Sequence, residues 1–239
     1  MKMDTLYWNQ ISPEIRLLAT KKRFYGQFNW RLRIYVEGGR SLESGNKTIA
    51  ESIKQRHQLA NVFGKNNTWY RSVDFSKISV EFLTRIKFIK TNLGNKIRMR
   101  IEEPFIQIYA NSEQMLKDIA VDLDKNDSIL EVTGPQDAAA EQILMTDSIL
   151  VTSPPEYEYK VLLREGRYSI DTKTRVLDYL LRVGDDVKLS DGSRRMLQKD
   201  YSSMWGVFFY THDPALITFI RLIDPNIVWK IYKLVYLPK

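Results

Sequence analysis

The same run of elements occurs twice in the chain, and this repeat restricts the fold more than any other feature. The first copy covers 105–133, with Ser112 between a β-rich run and a helical run. The second covers 207–235, with Asp213 in the corresponding position. Ser and Asp are preferred helix N-caps, and the apolar residues that follow recur at helical spacings of three and four. Each copy therefore predicts a β-α-β unit.

A second pair of matching stretches lies upstream of these units. Ser79 is placed to cap a helix that Gly94 ends, and Asp171 is placed to cap one that Gly184 ends. Strand-prone stretches precede and follow these helices at 31–37, 95–101, 157–164 and 187–197, the last with an Asp-Gly hairpin turn. Each half then reads β-α-β-β-α-β. The predicted fold class is α+β, with two tandem ferredoxin-like domains whose antiparallel sheets carry helices on one face.

Domain boundaries follow from the punctuation between the two copies. Gly-Pro ends the first copy and Ser-Pro-Pro precedes the second. We expect a basic ferredoxin-like domain over 1–135, with a helical insertion near 40–75. The linker is predicted over 136–155, and its apolar residues 143–151 suggest that it packs against a domain. The second ferredoxin-like domain is expected over 156–239.

Charge is distributed unevenly between the halves. Residues 1–110 hold 20 Lys and Arg against 9 Asp and Glu, whereas 111–239 hold 16 against 20. A basic half favours an anionic partner, since clustered positive charge attracts polyanions. The insertion adds further cations with His57, Trp69 and Tyr70, which either extend a nucleic-acid track or form a solvated helix and an anchored loop.

Strand parity places basic and aromatic residues of the first half on one side of its sheet. Successive side chains of a strand face opposite sides, so Leu32, Ile34 and the apolar residues of the later strands face the helices. The opposite face is predicted to carry Arg31, Arg33, Tyr35, Lys96, Arg98, Arg100, Phe105 and Tyr109. Cations neutralise phosphates and aromatic rings stack on unpaired bases. These eight residues are the predicted nucleic-acid-binding site.

This sheet resembles the RNA recognition motif in architecture, because RRM-type domains hold single-stranded RNA on a sheet with aromatic central strands. The third strand, 102–110, lacks the glycine and the basic start of the consensus for that motif. The resemblance implies a protein that binds single-stranded RNA or DNA, with RNA favoured. Most of the aromatic residues of the second half, which include Phe208, Phe209 and Tyr210, are expected to fill its core.

Two alternatives remain open. The first is a non-enzymatic interaction or assembly protein, such as a viral accessory or structural protein, whose sheets bind a protein partner or a second copy; Arg and Tyr are also enriched in such interfaces. The second rests on a resemblance in architecture and size to CRISPR repeat-processing endoribonucleases, which cut RNA without metal. Residues 222–239 lack the glycine-rich loop of that class, so no catalytic residue is carried over.

Enzyme motifs are weak in this sequence. The chain has no cysteine and two histidines, which argues against thiolate chemistry and a histidine-rich metal site. His212 beside Asp213 is a candidate base, and Gly184-Asp185-Asp186 forms a helix end more readily than a metal-binding hairpin. We expect no catalytic residues, no metal and no cofactor. With no apolar run long enough to span a bilayer, we expect no membrane partner and a cytoplasmic location, in the host if the protein is viral.

Overall fold

A computed structural model describes residues 3–43, 45, 47–63, 73–123, 128–200 and 203–238. The chain divides into two compact units, Met1–Glu141 and Gln142–Lys239. Each unit contains one five-stranded sheet, and the second also has a two-stranded ribbon. The protein is therefore a mixed α+β protein.

The elements are as follows. The helices are α1 Thr5–Ile11, α2 Ile49–Phe63, α3 Val80–Leu93, α4 Glu113–Leu123, α5 Ala138–Leu144, α6 Ile170–Val183, α7 Asp191–Gln198 and α8 Leu216–Ile223. The strands of the first unit are β1 Arg16–Ala19, β2 Trp30–Tyr35, β3 Arg98–Glu102, β4 Phe105–Ala110 and β5 Ile129–Gly134. Those of the second are β6 Ser148–Val151, β7 Tyr159–Leu163, β8 Gly166–Arg167, β9 Val187–Leu189, β10 Ser203–Met204, β11 Phe208–Thr211 and β12 Val228–Tyr236.

The two large sheets share one strand arrangement. The first has the order β1-β5-β2-β4-β3 and the second has the order β6-β12-β7-β11-β9. In each, the first strand pairs parallel to its neighbour, and every other pair is antiparallel. The prediction of purely antiparallel sheets is therefore wrong at one edge of each sheet. The short strands β1 and β6 cause this difference. Each pairs in parallel with the last strand of its unit, β1 with β5 and β6 with β12.

Local sequence explains where the first unit's helices begin. Ser79 is the N-cap of α3, since its Oγ accepts a hydrogen bond from the Phe82 backbone N–H at 3.2 Å, and Gly94 ends the helix with a positive φ of 48°. In α4, the Met115 N–H donates to Ser112 Oγ in the same manner. Both helices start where the sequence predicted.

The hydrophobic cores lie between each sheet and its helices. In the first unit, β2 contributes Leu32 and Ile34, and α3 contributes Leu83 and Ile86, all fully buried. In the second, a separate cluster includes Phe209 of β11. Burying a side chain of this size stabilises a fold by roughly 1.5–3 kcal/mol. One face of each sheet is thereby covered by helices.

Two segments differ from the predicted secondary structure. The predicted hairpin at 187–197 is instead β9 followed by α7, because Ser190 Oγ accepts from the Ser193 N–H at 3.2 Å and starts a helix. The predicted linker, 136–155, contains α5 and the sheet strand β6. Across the described ranges, no helix is both long and apolar enough to cross a bilayer.

Candidate nucleic-acid interface

The open face of the first sheet is the side away from the helices. Along β2, Leu32 and Ile34 are buried, Arg31 and Arg33 are half-buried, and Tyr35 is exposed. Register places Arg31 beside Tyr109 and Tyr35 beside Phe105, so the predicted residues of β2 and β4 share this face. The side chains of β2 and β4 therefore alternate between the two faces of the sheet as the sequence predicted.

The edge strand β3 supplies the exposed cations of this face. Arg98 pairs in register with Tyr109, and Arg100 pairs with Gln107; both arginines are exposed. Lys96 is also exposed, but it lies in the short 3-10 turn Gly94–Lys96 before the strand. Strand β3 therefore presents two of the three predicted cations, and the turn before it presents the third.

Carboxylates also occupy this face, which the sequence analysis did not expect. Glu131 of β5 forms ion pairs with Arg31 and, at 3.1 Å, with Arg16. The side chain of Glu131 is 5% exposed, so its charge is held largely within the protein. Arg31 also donates to Thr133 Oγ1 at 3.1 Å. Arg31 is consequently engaged inside the sheet rather than free to bind a ligand.

A second carboxylate, Glu102, anchors the other side of the face. It forms an ion pair with Arg100 at 2.5 Å and accepts a hydrogen bond from Gln107 Nε2 at 2.6 Å. Gln107 Oε1 in turn accepts from the Tyr109 hydroxyl at 2.5 Å. The hydroxyl of Tyr25 and then Glu102 raise the pKa of Arg100 above its ordinary value. Arg100 stays positively charged but is partly neutralised.

Arg33 and Arg98 are stacked on aromatic rings. The guanidinium carbon of Arg33 lies 4.1 Å from the centroid of the Phe105 ring, and that of Arg98 lies 3.8 Å from the centroid of Tyr25. Neither arginine has a carboxylate partner within the described residues. Such stacking orients a guanidinium while leaving its edge donors available. Tyr35 packs edge-on against Phe105, with centroids 6.0 Å apart.

Tyr109 lies on the predicted face, but the segment 20–29 covers it. Its ring contacts Phe24 and Tyr25 at centroid distances of 5.2 and 4.9 Å, and Phe28 lies 6.5 Å away. The residue is 3% exposed. Burial, followed by the neighbouring Tyr25 hydroxyl, raises the pKa of Tyr109 to about 12. Its ring therefore has no free face for a base, contrary to the predicted stacking role.

A depression of about 460 Å³ lies along the β3 edge. Tyr25, Lys90, Arg98 and Arg100 line it, together with Glu43. Lys90 comes from α3 and is exposed, so three cations from two elements meet around one concavity. Lys90 was not among the predicted site residues, because it lies on a helix and not on a sheet strand.

The predicted insertion is tied to the domain through its helix. On α2, Arg56 forms a largely buried ion pair with Glu103 at 2.8 Å. His57 stacks on Phe75 with ring centroids 4.8 Å apart. These contacts favour the anchoring interpretation for both residues. Lys47 and Lys54 are exposed. Lys65, Trp69, Tyr70 and Arg71 lie outside the described residues.

The open face of the second sheet carries aromatic residues, although most aromatics of the second half were expected in the core. Lys160 of β7 lies over Phe208 and Tyr210 of β11, with its Nζ at 3.8 and 5.4 Å from the ring centroids. Phe208 and Tyr210 are half-buried, whereas Phe209 between them is fully buried. Strand parity alone would have identified this face, since the two rings alternate with a core residue.

Neither candidate catalytic feature forms a reactive cluster. His212 is exposed, and its ring lies 4.7 Å from that of Tyr157. Asp185 and Asp186 lie in a short 3-10 turn after α6. Within the described ranges, no group of three or more His, Asp or Glu residues is arranged to hold a metal ion.

No protein-family model matches the chain, and no curated protein matches its sequence.

Proposed function

We propose that the protein binds single-stranded nucleic acid, RNA in preference to DNA, through the open face of the first sheet. The contacting residues would be Arg33, Arg98 and the neighbouring cations, with Phe105 and Tyr35 as the aromatic surface. Phosphate binding by cations releases counterions, and exposed rings stack on bases. This type of surface is how RRM-type sheets hold RNA.

One observation supports this proposal above the others. Arg33 and Arg98 are held on aromatic rings, while Glu131 and Glu102 on the same face are paired with Arg31, Arg16 and Arg100. Neither stacked guanidinium has a carboxylate partner among the described residues. A phosphate oxygen is a strong acceptor for a guanidinium in this situation.

The strand order supports a fold proposal as well. We infer that each unit is a ferredoxin-like domain with one added edge strand. Four strands in each unit form an antiparallel arrangement, β5-β2-β4-β3 in the first unit and β12-β7-β11-β9 in the second. The two central strands, β2 and β4 or β7 and β11, are the first and third of the four in chain order, as in a ferredoxin-like domain. This placement puts Arg33 and Phe105 in the middle of the first sheet.

A protein interface is the competing function. Glu131 and Glu102 lie on the same face as the arginines, and a mixed face of this composition also fits a protein partner or a second copy of the chain. The mass on size exclusion and the ratio of absorbance at 260 and 280 nm distinguish the two. A stable oligomer that purifies without nucleic acid would favour the interface.

Replacement of the two stacked arginines tests the proposed function. The variant Arg33→Ala/Arg98→Ala is titrated by fluorescence anisotropy against an unstructured labelled oligonucleotide at two salt concentrations. We expect affinity to fall roughly tenfold and the slope of log K against log salt to flatten by about 0.7 for each phosphate that the variant no longer neutralises.

The control removes the same charge from elsewhere. Arg175→Ala/Arg182→Ala changes two exposed arginines of α6 and should leave affinity close to that of the wild type. If the two double variants lose affinity equally, general charge and not this face drives binding. If the wild type does not bind at low salt, the proposed function is wrong.

A further inference from the structure

The two sheets have equivalent residues on their open faces. Each central tyrosine is flanked in register by a cation on both neighbouring strands. The equivalent residues, first sheet then second, are Tyr109 and Tyr210, Arg31 and Lys160, and Arg98 and Lys188. The two faces can therefore be compared position by position.

The faces differ in how the central cation is neutralised. Arg31 is paired with Glu131 of the adjacent β5. Lys160 lies opposite Tyr232 of the adjacent β12, at the position that Thr133 occupies opposite Arg31, and Lys230 stands at the position equivalent to Glu131. No carboxylate contacts Lys160 in the part of the chain that the structure describes. The charge of Lys160 is therefore available to an external anion.

The other two lysines of this face are paired at its margins. Lys188 contacts Glu156 at 2.7 Å, and Lys230 contacts Asp147 at 2.7 Å. Both ion pairs are exposed on at least one side, so water screens them. The uncompensated positive charge is thus concentrated at Lys160, in the centre of the sheet.

The faces also differ in how the central tyrosine is covered. The segment 20–29 places three rings against Tyr109, which leaves it 3% exposed. The equivalent connection in the second unit, 152–158, is shorter and places Tyr157 6.5 Å from Tyr210. Tyr210 is therefore only half-buried.

We propose that the open face of the second sheet is a second binding site for single-stranded nucleic acid. Lys160 would contact a phosphate, and the rings of Phe208, Tyr210 and Tyr232 would stack on unpaired bases. The class of ligand rests on the proposed function, but the residues and the supporting contacts are separate from those of the first sheet.

Leucine substitutions remove the rings while keeping apolar volume. The full chain with Phe208→Leu/Tyr210→Leu, and separately with Lys160→Gln, is titrated with a labelled oligouridine of about 12 nucleotides. We expect the double variant to bind about tenfold more weakly, as for the removal of one stacked base, with an almost unchanged salt slope. Lys160→Gln should weaken binding and flatten the slope by about 0.7.

Two matched controls come from the same unit. Phe219→Leu replaces an exposed ring on α8, and Lys233→Gln replaces an exposed lysine on the opposite side of β12. Both should bind like the wild type. Circular dichroism melting curves show whether each variant is folded.

Photocrosslinking gives a readout on the wild-type protein that does not depend on folding of a variant. A 5-iodouridine oligonucleotide is crosslinked, the protein is digested with trypsin, and the labelled peptides are identified by mass spectrometry. Phe208 and Tyr210 lie together in the tryptic peptide 200–221, and Phe105 lies in 101–117. We expect crosslinks in both peptides.

The outcomes separate this inference from the proposed function. Crosslinks in 101–117 without 200–221, with unchanged affinity in the second-sheet variants, overturn the second site and leave the first. Crosslinks in 200–221 alone, with weaker binding by the second-sheet variants, support the second site and overturn the first. A wild-type protein that neither binds nor crosslinks at low salt overturns both sites. Stable association with a protein partner then becomes the explanation for the open face of the second sheet.

Discussion

Arg31 and Glu131 form an ion pair across the adjacent strands β2 and β5, on the open face of the first sheet. The same carboxylate also contacts Arg16. One buried negative charge therefore neutralises two arginines that would otherwise face a ligand. This arrangement makes Glu131 a determinant of how strongly the face attracts polyanions.

The first prediction concerns this carboxylate. Glu131→Gln keeps the shape of the side chain and removes its charge, so Arg31 and Arg16 become available to phosphate. We expect affinity for a single-stranded oligonucleotide to rise about threefold to tenfold, with a steeper salt dependence, measured by fluorescence anisotropy. Glu81→Gln, an exposed carboxylate on α3, is the control and should have no comparable effect. Unchanged affinity in Glu131→Gln would show that this face does not meet the nucleic acid.

The second prediction concerns the pH dependence of stability. Tyr109 has a pKa of about 12 in the folded protein, above the ordinary value of 10. Between these values the unfolded chain has released the proton and the folded protein has kept it, so the free energy of unfolding falls as pH rises. The stabilisation is complete below pH 10 and is lost through pH 12. We expect Tyr109→Phe to show a shallower decline over this range in denaturant melts, whereas Tyr236→Phe, an exposed tyrosine, should decline like the wild type.

The third prediction concerns the packing of Gly134 against Trp30. A Cβ at Gly134 would lie 2.1 Å from the Trp30 ring, which is fully buried. We expect Gly134→Ala to lower the free energy of unfolding by about 1–3 kcal/mol, in the range for overpacked cores. The control is Gly192→Ala in the first turn of α7, where the nearest atom is 4.0 Å away, and it should be neutral or slightly stabilising. Equal stability of the two variants in urea titrations would contradict this packing.

The fourth prediction concerns the anchor of α1. Glu113 is buried, and its Oε1 accepts hydrogen bonds from the Trp8 indole N–H at 2.9 Å and the Asp4 backbone N–H at 2.8 Å. Glu113→Ala leaves both donors without this acceptor, and we expect a decrease of about 2–4 kcal/mol in the free energy of unfolding. Glu113→Gln keeps a carbonyl acceptor and should be destabilised less. A smaller decrease in the alanine variant than in the glutamine variant would contradict the role of these bonds.

Several parts of the fold could be predicted because they depend on neighbouring residues in sequence. The helix at 80–93 follows from Ser79, Gly94 and the spacing of apolar residues between them. The face on which Arg31, Arg33 and Tyr35 lie follows from the alternation of side chains along a strand. Both properties are local, so the sequence contains enough information to predict them.

Other features depend on contacts between segments that are far apart in sequence, and only the tertiary structure decided them. The strands β1 and β6 were not predicted, and pairing with β5 and β12 makes them strands. The neutralisation of Arg31 by Glu131 joins residues 100 positions apart. The covering of Tyr109 depends on where residues 20–29 fold back. Strand parity assigns a side chain to a face, but the neighbours it meets there are set by strand order and register, which no single strand specifies.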